Sequence, residues 1–329
     1  MKKFLIFALC LLMVMPMVLV GCGDTPNTPD EPKTVKFGAA IYASAPAVTD
    51  ATEDKEGTGK IDVTVAAVAI DADGKVVACE LDTASNTVKF TADGKAVANA
   101  EFKTKYELGA GYNMVAYGGA VKEWFEQADA FEALIVGKTL AEIKALVAEG
   151  NKGTEEVVTA GCTIMIHEFV GAIEKAYAAA TTEIPADAML KVAVATEQTC
   201  TDATEEKDGS NKVAMTTFAS AVDANGKIVA ASSDCVEVSF TFTAAGASTL
   251  DTAKAVASKK EQGTAYGMVA YGGSAKEWFE QAAAFDTACI GKTPAEIAGL
   301  MGEDGKGVSD LQTAGCTIYV SGFVKAATK

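Results

Sequence analysis

The chain has 329 residues, 28 Lys and Arg against 44 Asp and Glu, and a formal net charge of −16. That acidity argues against a nucleic-acid partner and against adhesion to anionic lipid through a basic face. A single histidine excludes hydrolysis with a histidine base in each half of the chain, and leaves no histidine-rich zinc centre.

At the N-terminus, Lys2 and Lys3 precede an apolar run from Phe4 to Val20, which meets Leu19-Val20-Gly21-Cys22. A basic start, a short apolar core and a small residue before the cut predict a signal peptide over 1–21 rather than a membrane span. A cysteine at that place looks like the acylated residue of a bacterial lipoprotein, so Cys22 is the expected lipid attachment point. Residues 22–34 contain Pro26, Pro29 and Pro32 with several acids and are expected to form a flexible tether. Removal of the signal takes away Lys2 and Lys3, and the charge becomes −16 − 2 = −18. The expected location is the extracytoplasmic face of a cell membrane, held by the lipid alone.

From residue 35 onward the chain is written twice. Tyr112-Asn113-Met114-Val115-Ala116-Tyr117-Gly118-Gly119 returns as Tyr266-Gly267-Met268-Val269-Ala270-Tyr271-Gly272-Gly273. Both copies continue into Lys-Glu-Trp-Phe-Glu-Gln-Ala and later into Thr-Ala-Gly-Cys-Thr-Ile. The boundaries are drawn at 35–182 and 186–329, each long enough for its own core.

In copy one, Val35 to Ala43 predicts a strand and Thr49 to Lys60 an acidic, glycine-bearing loop. Ile61 to Ile70 predicts a strand buried on both faces. Asp71-Ala72-Asp73-Gly74-Lys75 is a hairpin turn, repeated as Asp223-Ala224-Asn225-Gly226-Lys227. Val76 to Leu81 is the returning strand, with short strands near Thr87 to Thr91 and Glu237 to Thr243. Trp124, Phe125, Ala128 and Phe131 then recur at helical spacing, as does 275–288. Gly-Lys-Thr at 137–139 and 291–293 lacks the glycines of a phosphate loop and reads as a helix stop followed by an N-cap. Last helices are expected over Ile166 to Ala179 and Val320 to Ala327. The fold class is α+β: two similar tandem domains, each a small antiparallel sheet packed with helices.

Cysteines 79, 162, 200, 235, 289 and 316 remain after processing; an even number outside the cytoplasm could pair, without CxxC spacing to guide the pairing. The acidic loops at 49–54 and 201–206 lack calcium-loop spacing and read as solvated faces. Tyr112, Met114, Tyr117 and Trp124, with Tyr266, Met268, Tyr271 and Trp278, are candidates for covering a ligand ring or, for the tryptophans, for core positions.

The order of elements, the Asp-Gly hairpin and the terminal block resemble the extracytoplasmic FMN-binding domain family. That family carries Asp-x-x-Ser/Thr-Gly-Ala-Thr ahead of a helix, and its last threonine can be esterified through the FMN phosphate by a dedicated transferase. On that motif Asp310 and Glu156 take the acidic place, and Thr313 and Thr159 the hydroxyl place. The glycines fall at Gly315 and Gly161, and the acceptor becomes Cys316 and Cys162, with Thr317 and Thr163 one residue later. The resemblance implies a flavin pocket in which N–H groups near Gly161 and Gly315 meet the phosphate, while Tyr117 and Tyr271 help cover the ring. The implied role is a membrane-anchored electron-transfer carrier with redox partner proteins. The competing expectation is a tandem ligand-binding or cell-surface interaction module without a redox cofactor.

Overall fold

The computed structural model describes residues 33–329; the expected signal peptide, Cys22 and nearly all of the expected tether lie outside them. Copy one begins with β1 (Thr34–Thr49), β2 (Gly57–Ile70) and β3 (Val76–Phe90), then a short β4 (Ala96–Val97). Helices α1 (Lys105–Leu108), α2 (Trp124–Ile135), α3 (Leu140–Lys144), α4 (Glu155–Ala160) and α5 (His167–Ala178) follow. The strand β5 (Thr182–Pro185) then returns to the same sheet beside β1, giving the antiparallel order β4-β3-β2-β1-β5. Copy two repeats the plan with β6 (Met189–Thr201), β7 (Gly209–Val222) and β8 (Ile228–Phe242). Its helices are α6 (Lys259–Gln262), α7 (Trp278–Cys289), α8 (Pro294–Ile297), α9 (Ser309–Thr313) and α10 (Ser321–Ala327).

Two similar α+β units are thus present, as the sequence predicts, with strands longer than expected. β3 runs unbroken from Val76 to Phe90, so the strand expected near Thr87 is its far end, and the loop expected at 49–60 is shortened to 50–56, its two ends belonging to β1 and β2. Residues joining the copies do not form a linker: Thr182–Pro185 pair with Thr34–Phe37 as a fifth strand.

The continuous apolar run of β2 has a direct cause. Every residue from Ile61 to Ile70 is buried. Ile61, Val63 and Val65 face a core shared with Val213, Met215, Val236 and Phe242 of copy two. Ala66, Val68 and Ile70 face the helices of copy one, among Trp124, Phe131 and Phe169. The two sheets therefore pack face to face, with each copy's helices on the outer side, so a central strand meets apolar partners on both faces. Phe90 stacks on Phe242 at 4.7 Å and 14° across the seam.

Contacts across that seam are reciprocal. Ala51 N donates to Gly246 O and Ala203 N to Gly94 O, both at 2.8 Å. The Asp50 carboxylate accepts from Ser248 N at 2.8 Å, and Asp202 accepts from Ala96 N at 2.9 Å. Lys175 pairs with Glu261 and Lys329 with Glu107. Equivalent patches meeting each other is the pattern of an isologous dimer, here built into one chain. The acidic loops expected to be solvated faces thus carry Asp50 and Asp202 as latches onto the other copy.

Candidate functional site

The Thr-Ala-Gly-Cys-Thr block lies at the end of a short helix. Glu155–Ala160 closes at Gly161 with φ 106°, where Gly161 N donates to Val158 O and Cys162 N to Val157 O. Gly315, φ 102°, closes α9 in the same way, with Cys316 N on Leu311 O. This is left-handed C-capping, and it uses the N–H groups of the turn internally. The next N–H is also taken. Thr163 N and Oγ1 both donate to Gln127 Oε1, at 2.8 and 2.9 Å, and Thr317 does the same to Gln281, at 2.9 and 3.0 Å. Gln127 and Gln281 are buried on α2 and α7, and their amide groups donate back to Lys122 O and Lys276 O. The turn is clamped to the tryptophan helix by one buried amide in each copy.

Lysine occupies the space beside each glycine. A Cβ on Gly161 would collide with the Lys122 ammonium and one on Gly315 with that of Lys276. Lys276 Nζ also donates to Ala314 O at 3.3 Å, where the α9 carbonyls gather partial negative charge. Cys162 and Cys316 are fully buried, and burial pushes both thiols up to about 11, so neither is a ready nucleophile at neutral pH. Thr159 and Thr313 are exposed on their helices, Thr313 Oγ1 donating to Ser309 O, and Glu156 pairs with Lys138. Asp310 stands exposed in the first turn of α9. As folded, these residues do not fit a phosphate cradled by backbone N–H groups. All six described cysteines are free thiols.

The tryptophans belong to the core: Trp124 meets Phe169 edge-on at 5.7 Å and Trp278 meets Phe323 at 5.6 Å. Lys105 lies 5.4 Å from the Trp124 ring centroid and Lys259 5.5 Å from that of Trp278. Tyr112 and Tyr266 are partly buried beside them, as are Met114 and Met268.

Tyr117 and Tyr271 behave differently. They are 88% and 91% exposed, at the tips of loops whose bases are tightly held. Buried Glu123 accepts from Met114 N at 2.9 Å and Val115 N at 3.2 Å; Glu277 accepts from Met268 N at 3.0 Å and Val269 N at 3.3 Å. Gly119 and Gly273 supply the positive φ that turns the loop back. Val115 and Val269 are exposed beside the tyrosines, and Val121 is 96% exposed in copy one. Tyr117 and Tyr271 are solvent-facing tips, whereas Cys162 and Cys316, with which the sequence groups them, are buried. What the sequence alone misses is the pair of carboxylates, Glu123 and Glu277, that fix the loops.

Among the described residues no helix is long and apolar enough to cross a membrane, and no His, Cys, Asp and Glu cluster is arranged to hold a metal. Comparison with protein-family models, curated proteins and solved structures returns no match.

Proposed function

We propose that the chain is a tandem interaction module, displayed outside the cell membrane by a lipid on Cys22, that engages its partner through the Tyr117 and Tyr271 loops without a redox cofactor. One comparison supports this. Between 112–128 and 266–282 the copies agree at 14 of 17 positions, the exceptions being Asn113/Gly267, Ala120/Ser274 and Val121/Ala275. Between 61–70 and 213–222, at the heart of the molecule, they agree at only 3 of 10: Thr64/Thr216, Ala67/Ala219 and Ala69/Ala221. The copies have therefore diverged where packing alone constrains them. Packing accounts for the tryptophan helix and backbone geometry for the two glycines, but neither accounts for a tyrosine tip facing water twice. Exposed tyrosine with adjacent valine is the composition of a contact surface, since the ring adds apolar area at low entropic cost and keeps a polar end.

The test uses the processed protein from its own host. Its visible spectrum and intact mass should show a diacylated chain and no flavin. Labelled protein should then bind intact cells or an array of surface glycans and proteins, and the Y117A/Y271A variant should bind at least about tenfold more weakly, a loss of roughly 1.4 kcal/mol. Unchanged binding by that variant would sink the tyrosine-loop reading, and flavin absorbance that travels with the protein would restore the electron carrier.

A further inference from the structure

The outer edge of β8 carries backbone groups that nothing in the described chain satisfies. Thr249 N donates to Thr241 O at 2.9 Å, and Thr241 N donates to Thr249 Oγ1 at 2.9 Å, so the Thr241 backbone points away from β7. Backbone direction alternates along a strand, so the N–H and C=O of Ser239 and Glu237 point the same way. Neither residue's outward groups have a hydrogen-bond partner among the described residues.

These groups form one wall of a cleft of about 460 Å³, and Leu250, Asp251, Lys254 and Ala255 stand in the opposite wall. A smaller cleft of about 370 Å³ lies at the equivalent edge of copy one, along Ser85, Asn86 and Thr87. The segment from Gly246 to Ser258 is two residues longer than its counterpart from Gly94 to Thr104. In both copies the far end of the edge is closed by the chain itself, by β4 on Lys89 and Phe90 and by Ser248 and Thr249 on Phe242 and Thr241; in copy one Asn99 Nδ2 also donates to Thr87 O at 3.0 Å. Thr87 is the counterpart of Ser239, whose carbonyl has no such cover.

We propose that this cleft binds an extended peptide of a partner protein, which adds to the sheet as a further strand beside β8. Main-chain bonds to Glu237 and Ser239 would supply affinity and the cleft walls the side-chain preference. Charge selects the peptide's sign. Lys212 and Lys259 occupy the Glu237 carboxylate, which leaves Asp251 and Lys254 as the opposed charges of the far wall. The field of a chain with formal charge −16 then favours a peptide bearing lysine or arginine.

The experiment is a selection of short linear peptides from a display library on the purified full chain. The enriched sequence is then synthesised in three forms: unmodified, N-methylated at alternate residues, and with glutamate in place of its basic residues. Binding should shift the amide resonances of Glu237 and Ser239, and both altered peptides should bind at least about tenfold more weakly. Two variants close the cleft by different routes. S239P removes an outward N–H that has no partner, a change an edge strand tolerates. A255W fills the cleft from an exposed loop and leaves the strand intact. Loss of binding in both, with Y117A/Y271A unaffected, is the expected result and keeps this site distinct from the tyrosine loops. Absence of any enriched peptide, equal binding of the N-methylated form, or full binding by folded A255W would overturn the proposal.

Discussion

Glu132 and Asp286 hold the same position in the two copies and meet different surroundings. Asp286 accepts from Ser233 N at 2.8 Å and lies 3.4 Å from the Lys260 ammonium. Glu132 accepts from Leu81 N at 2.7 Å, but Tyr106 stands in the place of that lysine, and Glu80, Asp129 and Asp82 surround it. Burial, reinforced by the Glu80 charge, pushes the Glu132 carboxyl up to about 9, and burial also raises Asp82 to about 6. Both groups hold their proton more tightly in the folded chain. Their contribution to stability is fully present below the ordinary carboxylate values of 4.5 and 3.8, and is lost as pH rises through about 9 and about 6, respectively. The urea midpoint should therefore fall from mildly acidic to alkaline pH. E132Q should flatten the limb above neutrality and leave that of Asp82; a variant as steep as the parent chain between neutrality and pH 9 would show that Glu132 is not the titrating group.

At the scale of elements, the strongest local signals were also the most readable. Thr139 and Thr293 each cap the next helix with a reciprocal glutamate, Glu142 and Glu296, as the Thr-x-x-Glu spacing predicts. The Thr-Ala-Gly-Cys turn was harder. Small residues and glycine ahead of a helix look like an N-terminal anion cradle, yet Thr154 with Glu155 and Glu156 starts a short helix that the same glycine ends. Six residues carry too little periodicity to be recognised before tertiary contacts form. Nor could spacing show that Glu123 reaches back nine residues to Met114. That contact makes a prediction. The Glu123 carboxylate uses both oxygens on the loop, and E123Q keeps only one as an acceptor, so about 1–3 kcal/mol of local stability should be lost. Hydrogen exchange should speed up at Met114 and Val115 and hold steady in β2. Matching acceleration in both places would mean that the substitution loosens the fold rather than the loop.

Across the whole molecule, the pairing of the copies is what the sequence conveyed least. Duplication and the doubly buried β2 were both legible, but an apolar strand face does not name the surface that covers it. Here the cover is the other copy. Ile61, Val63, Phe90, Met215, Phe240 and Phe242 share one core, and the Asp50 and Asp202 latches join its rim in both directions. Neither sheet can leave the other without exposing that core, so the copies should unfold in one transition rather than two. The chain carries one tryptophan per copy, Trp124 and Trp278, each buried in its own helix layer. Single-tryptophan variants therefore report each copy separately. Truncating Phe242, which is fully buried against Phe90, should cost about 3–5 kcal/mol. In a two-state molecule F242A must lower the denaturant midpoint seen by Trp124 as much as that seen by Trp278, although the substitution lies in copy two. A shift confined to Trp278 would mean that the copies fold as independent domains and that the seam is a docking contact rather than a shared core.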